Sequence, residues 1–478
     1  MSETASTPAP PSARGPFFRR MALLVGASAA ANVLGRWAGL DPLQALSASV
    51  FLAVLLGTLF FWEFRLAIAF LGVAVLIFTK ALSLPHFVEA AALPVILFLV
   101  GMMIVVGALR DLGFFTWIVQ GILSIPRITA RRFMFVAGVA SALLACVVDE
   151  VTSIIFISAL IFQVCGRLKI RPTPHLILCV LCTNVGSAGT MMGNPVGIYI
   201  GTQAGFTFQD FVVWAFPTML LALAATVSVT LYWYRKDLRE FDAALQDRVS
   251  RHLSLVSKVE IPYQRGLAVL AFTLALIASH HAMEKWLGLD RNSILLVAPL
   301  ISAGVIMVVR RDRARHYVER EVDWWTLLFF MLLFAIAGTL EYTGVTRRAA
   351  EGVAGVFGTR PVVLVPAVMA MSAMGSAFVD NVVFVAAASP VIHELGRTTP
   401  AMPLWWALLF GACFGGNITL IGSTANIVAL GLLEKNAHEH VRFWDWLKIG
   451  LLSALVACAI AAAALLLMAP HMPGGAAP

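Results

Sequence analysis

VVDEVTSIIF (147–156) and TMMGNPVGIYIG (190–201) open and close a stretch that sets Asp149, Glu150, Thr152, Ser153, Asn184, Thr190 and Asn194 in strongly apolar surroundings. The pattern returns 229 to 231 positions later. VVDEV (147–151) matches FVDNV (378–382), and TMMGNP (190–195) matches TLIGST (419–424). A carboxylate at the centre of a bilayer costs about 2.5–3.5 kcal/mol on insertion scales. A chain that places polar groups at membrane depth twice, in equivalent positions, is expected to use them.

The membrane reading rests on composition. The 478 residues are 60% hydrophobic and 13% charged, with a mean hydropathy of +0.87. Soluble domains are nearer half apolar and a quarter charged. Many apolar runs reach the roughly 20 residues a spanning helix needs, and the alternation of an outer-membrane barrel is absent. A polytopic all-α membrane protein is therefore expected, embedded in the lipid bilayer. The formal charge of +8 does not point to nucleic acid, because the basic residues lie in short loops between apolar runs. The six cysteines (146, 165, 179, 182, 413, 458) fall in or beside apolar segments and read as small core residues. Cys179 and Cys182 form a C-x-x-C with no second pair, so no metal site is assigned.

The run 132–165 is too long for one comfortable span. A helix of that length would run about 50 Å against about 30 Å of hydrocarbon. A re-entrant hairpin with Asp149 and Glu150 at its tip resolves the excess. The span 175–201 is interrupted by GSAGTMMGNP, whose glycines and Pro195 argue for a broken helix. The second half repeats both devices, a hairpin at 361–395 and a broken helix at 402–434. LFLVGMMIVVGALRDLG (97–113) aligns with LFFMLLFAIAGTLEYTG (328–344), placing Gly107/Gly338 and Gly113/Gly344 in register.

Single spans are expected at 45–62, 65–82, 92–109 and 211–234, then at 266–283, 293–309, 324–341 and 446–468, with an extra first span in 21–44. Residues 1–20 read as a disordered tail without a cleavable signal, 235–265 as a polar loop linking repeat 1 (45–234) to repeat 2 (266–468), and 469–478 as a tail. Five spans per half make the repeats inverted, with about 11 spans in all. The positive-inside bias of RKDLRE (235–240), RRDRAR (310–315) and GRLKIR (166–171) puts the amino terminus in the cytoplasm and the carboxyl terminus outside an inner (plasma) membrane.

Inverted repeats with discontinuous helices describe a secondary transporter with a midplane site. A broken helix frees N–H groups at one half and C=O groups at the other, favouring an anion and a cation respectively. The candidate ion-binding residues are Asp149, Glu150, Thr152, Asn184, Thr190 and Asn194 from the first half. The second half offers Asp380, Asn381, Asn417, Thr419, Ser423, Thr424 and Asn426. Such oxygen ligands suit Na⁺, and a carboxylate at membrane depth can instead carry H⁺. No organic cofactor is called for. The hydroxyls have a plainer reading, back-bonding to helix carbonyls. His393 and Glu394 read as interfacial, His280 and His281 as snorkelling to water from a span end. Trp324, Trp325, Trp405, Trp406, Trp444 and Trp446 read as interfacial anchors. No H-E-x-x-H or G-x-S-x-G motif supports an enzyme.

With GNITLIGSTANIVA (416–429), FVDNVVFVAAASPVI (378–392) and MGNPVGIYI (192–200), the chain resembles the ion transporter superfamily over about 45–468. That group includes arsenite permease-like proteins, sodium–proton antiporters, and citrate and dicarboxylate transporters. The resemblance implies a homodimer, an elevator-like transport domain of hairpins and broken helices, and coupling to Na⁺ or H⁺. The first tip departs from the pattern, with Asp149-Glu150 where Asp-Asn or Ser-Asn-Thr is expected. A Ser-Asn-Thr tip is missing from both hairpins, which weakens a dicarboxylate substrate, and no arginine lies in the candidate site. The expected function is an arsenite-permease-like or other anion permease coupled to Na⁺ or H⁺, moving a small inorganic or organic ion. A Na⁺/H⁺ antiporter is the alternative, and an ion channel or membrane enzyme stands further off.

Overall fold

The computed structural model describes residues 14–125, 129–250 and 263–472, with side chains omitted at 14–16 and 248–250. Most of the expected amino-terminal tail, the middle of the linker and the last six residues therefore lie outside the described residues. Among the described residues the chain is all-helical and contains no strand. It is a polytopic membrane protein, with nine described helices long and apolar enough to cross a bilayer.

Seven of the nine coincide with expected single spans, including the extra first one, Phe17–Trp37. The other two are the arms of the first hairpin, Ala130–Val147 and Glu150–Leu168, of 18 and 19 residues. Each reaches about 27–28 Å at 1.5 Å per residue, so by length either arm alone can cross. The second hairpin's arms, Pro361–Ser376 and Asn381–Leu395, are shorter at 16 and 15 residues. Two expected spans also come out short: Arg65–Phe78 has 14 residues and Ser293–Val309 has 17.

The internal repeat is visible in the helix boundaries. Leu93–Asp111 and Trp324–Tyr342 start and stop 231 positions apart. Each ends at a glycine in the left-handed region, Gly113 (φ +73°) and Gly344 (φ +80°). An L side chain resists that conformation. A short helix follows each glycine, Phe114–Leu123 and Val345–Phe357. The hairpins come next, and then the interrupted helices. Thr173–Gly186 resumes as Pro195–Gln203, and Ala401–Gly415 resumes as Thr424–Ala437.

By its internal packing the chain divides into two compact units. One comprises Met1–Ala91 and Leu332–Val345. Within it Gln44 Oε1 accepts the Asp41 N–H at 3.1 Å while its amide donates to the Thr343 carbonyl at 2.9 Å. Gly338 lies so near Ala90 that a Cβ would come within 2.5 Å of the alanine's methyl. The other unit, Ala92–Met331 and Thr346–Pro478, contains both hairpins and both interrupted helices. In each repeat the first half of the interrupted helix packs along the first arm of the hairpin.

Several sequence expectations need correction. The stretch expected as a loop from 235 begins with a helix, Arg235–Ser250. Its buried Leu238, Phe241 and Leu245 recur at helical spacing beneath a charged face. Asp242 from this helix accepts the Ala130 N–H at 2.7 Å, placing a carboxylate on the first hairpin's leading N-terminus. His280 does not snorkel: the helix continues to Leu287, so His280 is fully buried and its Nδ1 lies 2.7 Å from the Ile277 carbonyl. Its neighbour His281 is exposed. Trp405, Trp406 and Trp446 are buried rather than interfacial, whereas Trp324, Trp325 and Trp444 are exposed. Ala401–Gly415 is buried on nearly every face, so its tryptophans enter the interior; the Trp406 ring stacks on Phe206 at 4.5 Å.

Glu284 is a buried acid that the sequence reading passed over. Its carboxylate accepts the backbone N–H of Asn292 at 3.1 Å and of Ile294 at 2.9 Å, closing the N-terminus of Ser293–Val309. Glu284→Ala should therefore destabilise the protein by about 1–3 kcal/mol, the cost of buried donors left unmatched. A thermal midpoint in detergent unchanged from the parent would contradict this.

Candidate functional site

Each hairpin turns at an acidic residue that caps the following helix. Asp149 Oδ1 accepts the Thr152 N–H at 2.7 Å. Asp380 Oδ1 accepts the Val382 N–H at 3.0 Å. Both are N-caps that occupy a free donor of their own helix. The interrupted helices resume with the same device. Asn194 Oδ1 accepts from Gly197 N at 2.9 Å, and Ser423 Oγ accepts from Ala425 N at 3.1 Å.

These breaks are locked together crosswise between the repeats. Asn184, in the last turn before the first break, donates through Nδ2 to Asn417 Oδ1 and Asn426 Oδ1, both at 2.8 Å. Its Oδ1 lies 3.0 Å from the Ser423 hydroxyl. The equivalent contact in the other direction joins Asn194 Nδ2 to Cys413 Sγ at 3.2 Å. Asn194/Ser423 and Asn184/Cys413 are each 229 positions apart, so one pairing occurs twice, once in each direction. Asn426 Nδ2 satisfies the Gly416 and Thr419 carbonyls at 2.7 and 2.9 Å. Asn417 Nδ2 reaches the Leu181 carbonyl at 3.2 Å, and Trp446 Nε1 donates to the Asn417 carbonyl at 2.9 Å.

The acids join this lattice. The Ser423 hydroxyl lies 3.3 Å from Glu150 Oε1, and the Thr424 hydroxyl donates to Asp380 Oδ2 at 2.8 Å. Glu150 is 4% exposed. The side chains of Ser187 and Asn194 face its carboxyl, yet its Oε2 has no hydrogen-bond partner. The groups bonded to one another here are carboxylates, carboxamides and hydroxyls. The charge of Arg110 reaches Asp149, but Arg110 itself pairs with Glu321 at 3.0 Å.

The structure thus brings Glu150, Asn184, Asn417, Ser423 and Asn426 into one bonded set, with the Asp380–Thr424 pair and Asn194 beside it. Other candidates serve the backbone. The Thr190 and Thr419 hydroxyls donate to the carbonyls of Cys146 and Ala377, tying each break to the end of the hairpin arm it packs against. Ser153 Oγ donates to the Ser141 carbonyl at 2.7 Å, joining the two arms of the first hairpin. Thr152 faces its own cap Asp149, and Asn381 Oδ1 accepts from its neighbour Val382 N at 3.1 Å. Glu394 pairs with Arg397 at 3.2 Å near a helix end, away from these contacts. Cys413 and Ser187 are the site residues that sequence reasoning missed. The repeat itself holds the signal: Cys413 occupies the position equivalent to Asn184. Among the described residues no three His, Cys, Asp or Glu side chains gather closely enough to share a metal ion.

Comparison with known proteins agrees with the fold and the membrane setting. A family model described as a citrate transporter matches residues 57–411. An uncharacterized transporter of Mycobacterium tuberculosis is 33% identical over 377 residues, covering 77% of this chain and 84% of its own. The P protein of Homo sapiens is 25% identical over 450 residues, covering 79% of this chain and 54% of its own. Among solved structures, the YdaH transporter of Alcanivorax borkumensis superimposes with a TM-score of 0.56 at 16% identity, covering 85% of this chain and 90% of that one. That likeness is one of fold.

Proposed function

Because the chain belongs to the citrate transporter family and is a membrane transporter, we propose that it is a secondary active permease for a small anion, coupled to Na⁺ or H⁺. The supporting observation is the meeting of both helix breaks with the first hairpin tip, through Glu150, in one bonded set, and the tie of the second tip to its neighbouring break through Asp380 and Thr424. Each break exposes the N-terminus of a resumed half-helix, where Asn194 and Ser423 each cap a single N–H. The remaining N–H groups and the helix dipole suit an anion, and Glu150 and Asp380 supply the charge for a coupling cation. Citrate is the first substrate to try, on the description of the family model. Arsenite follows, on the resemblance drawn from the sequence.

The transport cycle proposed is alternating access of elevator type. The hairpins and broken helices move together, in inverted repeats, within a homodimer of the inner membrane, the amino terminus in the cytoplasm. A second reading, cation–proton antiport, is favoured by the presence of three acids, Asp149, Glu150 and Asp380, with no basic side chain in the bonded set.

Proteoliposomes with a trapped pH-sensitive dye separate the two readings. Under the first, Na⁺ or Li⁺ added without an anion leaves an imposed pH gradient standing, and labelled citrate or arsenite enters under a Na⁺ or H⁺ gradient. Dissipation by the cation alone would favour antiport. On either reading Asp380→Asn should slow transport about tenfold or more, since it weakens a charge-assisted hydrogen bond worth about 1.5–3 kcal/mol. Unchanged transport in that variant would remove Asp380 from the site.

A further inference from the structure

The three acids at the breaks are not equivalent, and the difference lies in their bonding. Asp149 spends its carboxylate on the Thr152 N–H and Asp380 spends its own on the Val382 N–H and the Thr424 hydroxyl. Both are structural caps. Glu150 caps nothing. Its Oε1 meets the Ser423 hydroxyl, and its buried Oε2 is unpartnered.

We propose that Glu150 is the proton-carrying carboxyl of this protein, and that the Ser423 hydroxyl reports its protonation to the asparagine lattice. This rests on the coupled-transporter reading above and narrows its coupling ion to H⁺.

The oxygens around Glu150 decide between H⁺ and Na⁺. A sodium ion needs several free oxygen ligands at once. Most carboxamide oxygens nearby are already engaged: Asn194 Oδ1 by Gly197 N, and Asn417 Oδ1 and Asn426 Oδ1 by Asn184. Asn194 also spends its amide nitrogen, on Ser187 and Cys413. Ser187 and Asn194 face the carboxyl but Oε2 has no bonded partner, and a proton can sit there without other ligands. The titratable groups that act on Glu150 are Asp149 on its own helix and Asp380 on the second hairpin, with the Cys413 thiol opposite.

Ser423 has one hydroxyl hydrogen and two acceptors in reach, Glu150 Oε1 at 3.3 Å and Asn184 Oδ1 at 3.0 Å. When Glu150 is ionised the hydrogen is drawn to the carboxylate. When Glu150 takes a proton from the aqueous side, its own O–H can donate to Ser423, and the serine hydrogen turns to Asn184. One proton is gained, no covalent bond is broken, and the serine hydrogen bond to Glu150 is replaced by one from Glu150 to Ser423 and one from Ser423 to Asn184. The crosswise Asn184 contacts that join the repeats thereby depend on the charge of Glu150.

The test is infrared difference spectroscopy of the full chain in detergent, between low and high pH. The protonated-carboxyl band of a buried acid should be present in the parent, lost in Glu150→Gln, and retained in Asp149→Asn and Asp380→Asn. Ser423→Ala, which leaves the carboxyl in place, should shift that band's frequency. A band that survives Glu150→Gln, or that is lost in either aspartate variant instead, overturns the assignment. An unshifted band in Ser423→Ala overturns the serine switch. In vesicles, citrate uptake driven by a pH gradient should be lost in Glu150→Gln; uptake that still follows the gradient overturns the proposal. If the parent moves neither citrate nor arsenite, the permease reading fails, and the infrared result still decides the proton site.

Discussion

Gly186→Val and Gly415→Val should each destabilise the protein by about 3 kcal/mol or more, the upper end for forced over-packing, and abolish transport. A Cβ on Gly186 would stand 2.3 Å from the Ala142 carbonyl oxygen and 2.4 Å from its Cα. A Cβ on Gly415 would stand 2.4 Å from both the Cα and the carbonyl oxygen of Ala373. The opposing atoms are backbone, so no rotamer change relieves the clash. The hairpin arm and the interrupted helix must separate, and with them the threonine ties at Thr190 and Thr419. That both repeats use the same contact (Ala142 and Ala373 are 231 positions apart) makes it a condition of the fold. Thermal unfolding and the yield of monodisperse protein measure the effect. Gly166→Ala is the control, because no heavy atom lies within 4 Å of a Cβ there. Parent-like midpoints in both valine variants would show that the helices do not approach as described.

Asn184→Leu should cost about 2–4 kcal/mol, because it leaves two buried acceptors without their donor at roughly 1–3 kcal/mol each. The orphaned atoms are Asn417 Oδ1 and Asn426 Oδ1, on residues with no exposed surface. Polar contacts between membrane helices average only about 0.6 kcal/mol where a freed group finds another partner. Here the neighbouring donors are committed, since the Asn417 and Asn426 amide nitrogens already serve backbone carbonyls. The larger figure therefore applies. Asn184→Asp tests the same point with little change in volume, since it loses the donors while retaining an acceptor for Ser423. A midpoint and transport rate equal to the parent in both variants would remove Asn184 from the centre of the site.

Much of this architecture was legible in the chain. Gly113/Gly344 and the Asp149/Asp380 register announced the duplication, because a left-handed turn and a helix cap each admit few residue types. The glycines and Pro195 announced the helix break. The linker helix was hidden because its charged face dominates the composition of RKDLREFDAALQD (235–247), and only three apolar residues mark its buried side. Trp405, Trp406 and Trp446 misled for a related reason: a tryptophan near a span end reads as interfacial unless the helix is known to be surrounded by protein. His280 was misplaced because the apolar signal fades before the helix stops.

Hydropathy, periodicity and helix breaking are local properties of the chain, so the membrane class, the duplicated hairpins and broken helices, and the polar residues gathered at them are written in it. How those residues divide their work follows from the packing of the folded chain. Asp149 and Asp380 cap helices, Thr190 and Thr419 satisfy backbone carbonyls, and Glu150 is left with an open oxygen. At the centre, contacts such as Asn184–Asn417 and Glu150–Ser423 join residues more than 200 positions apart, and no local pattern records them.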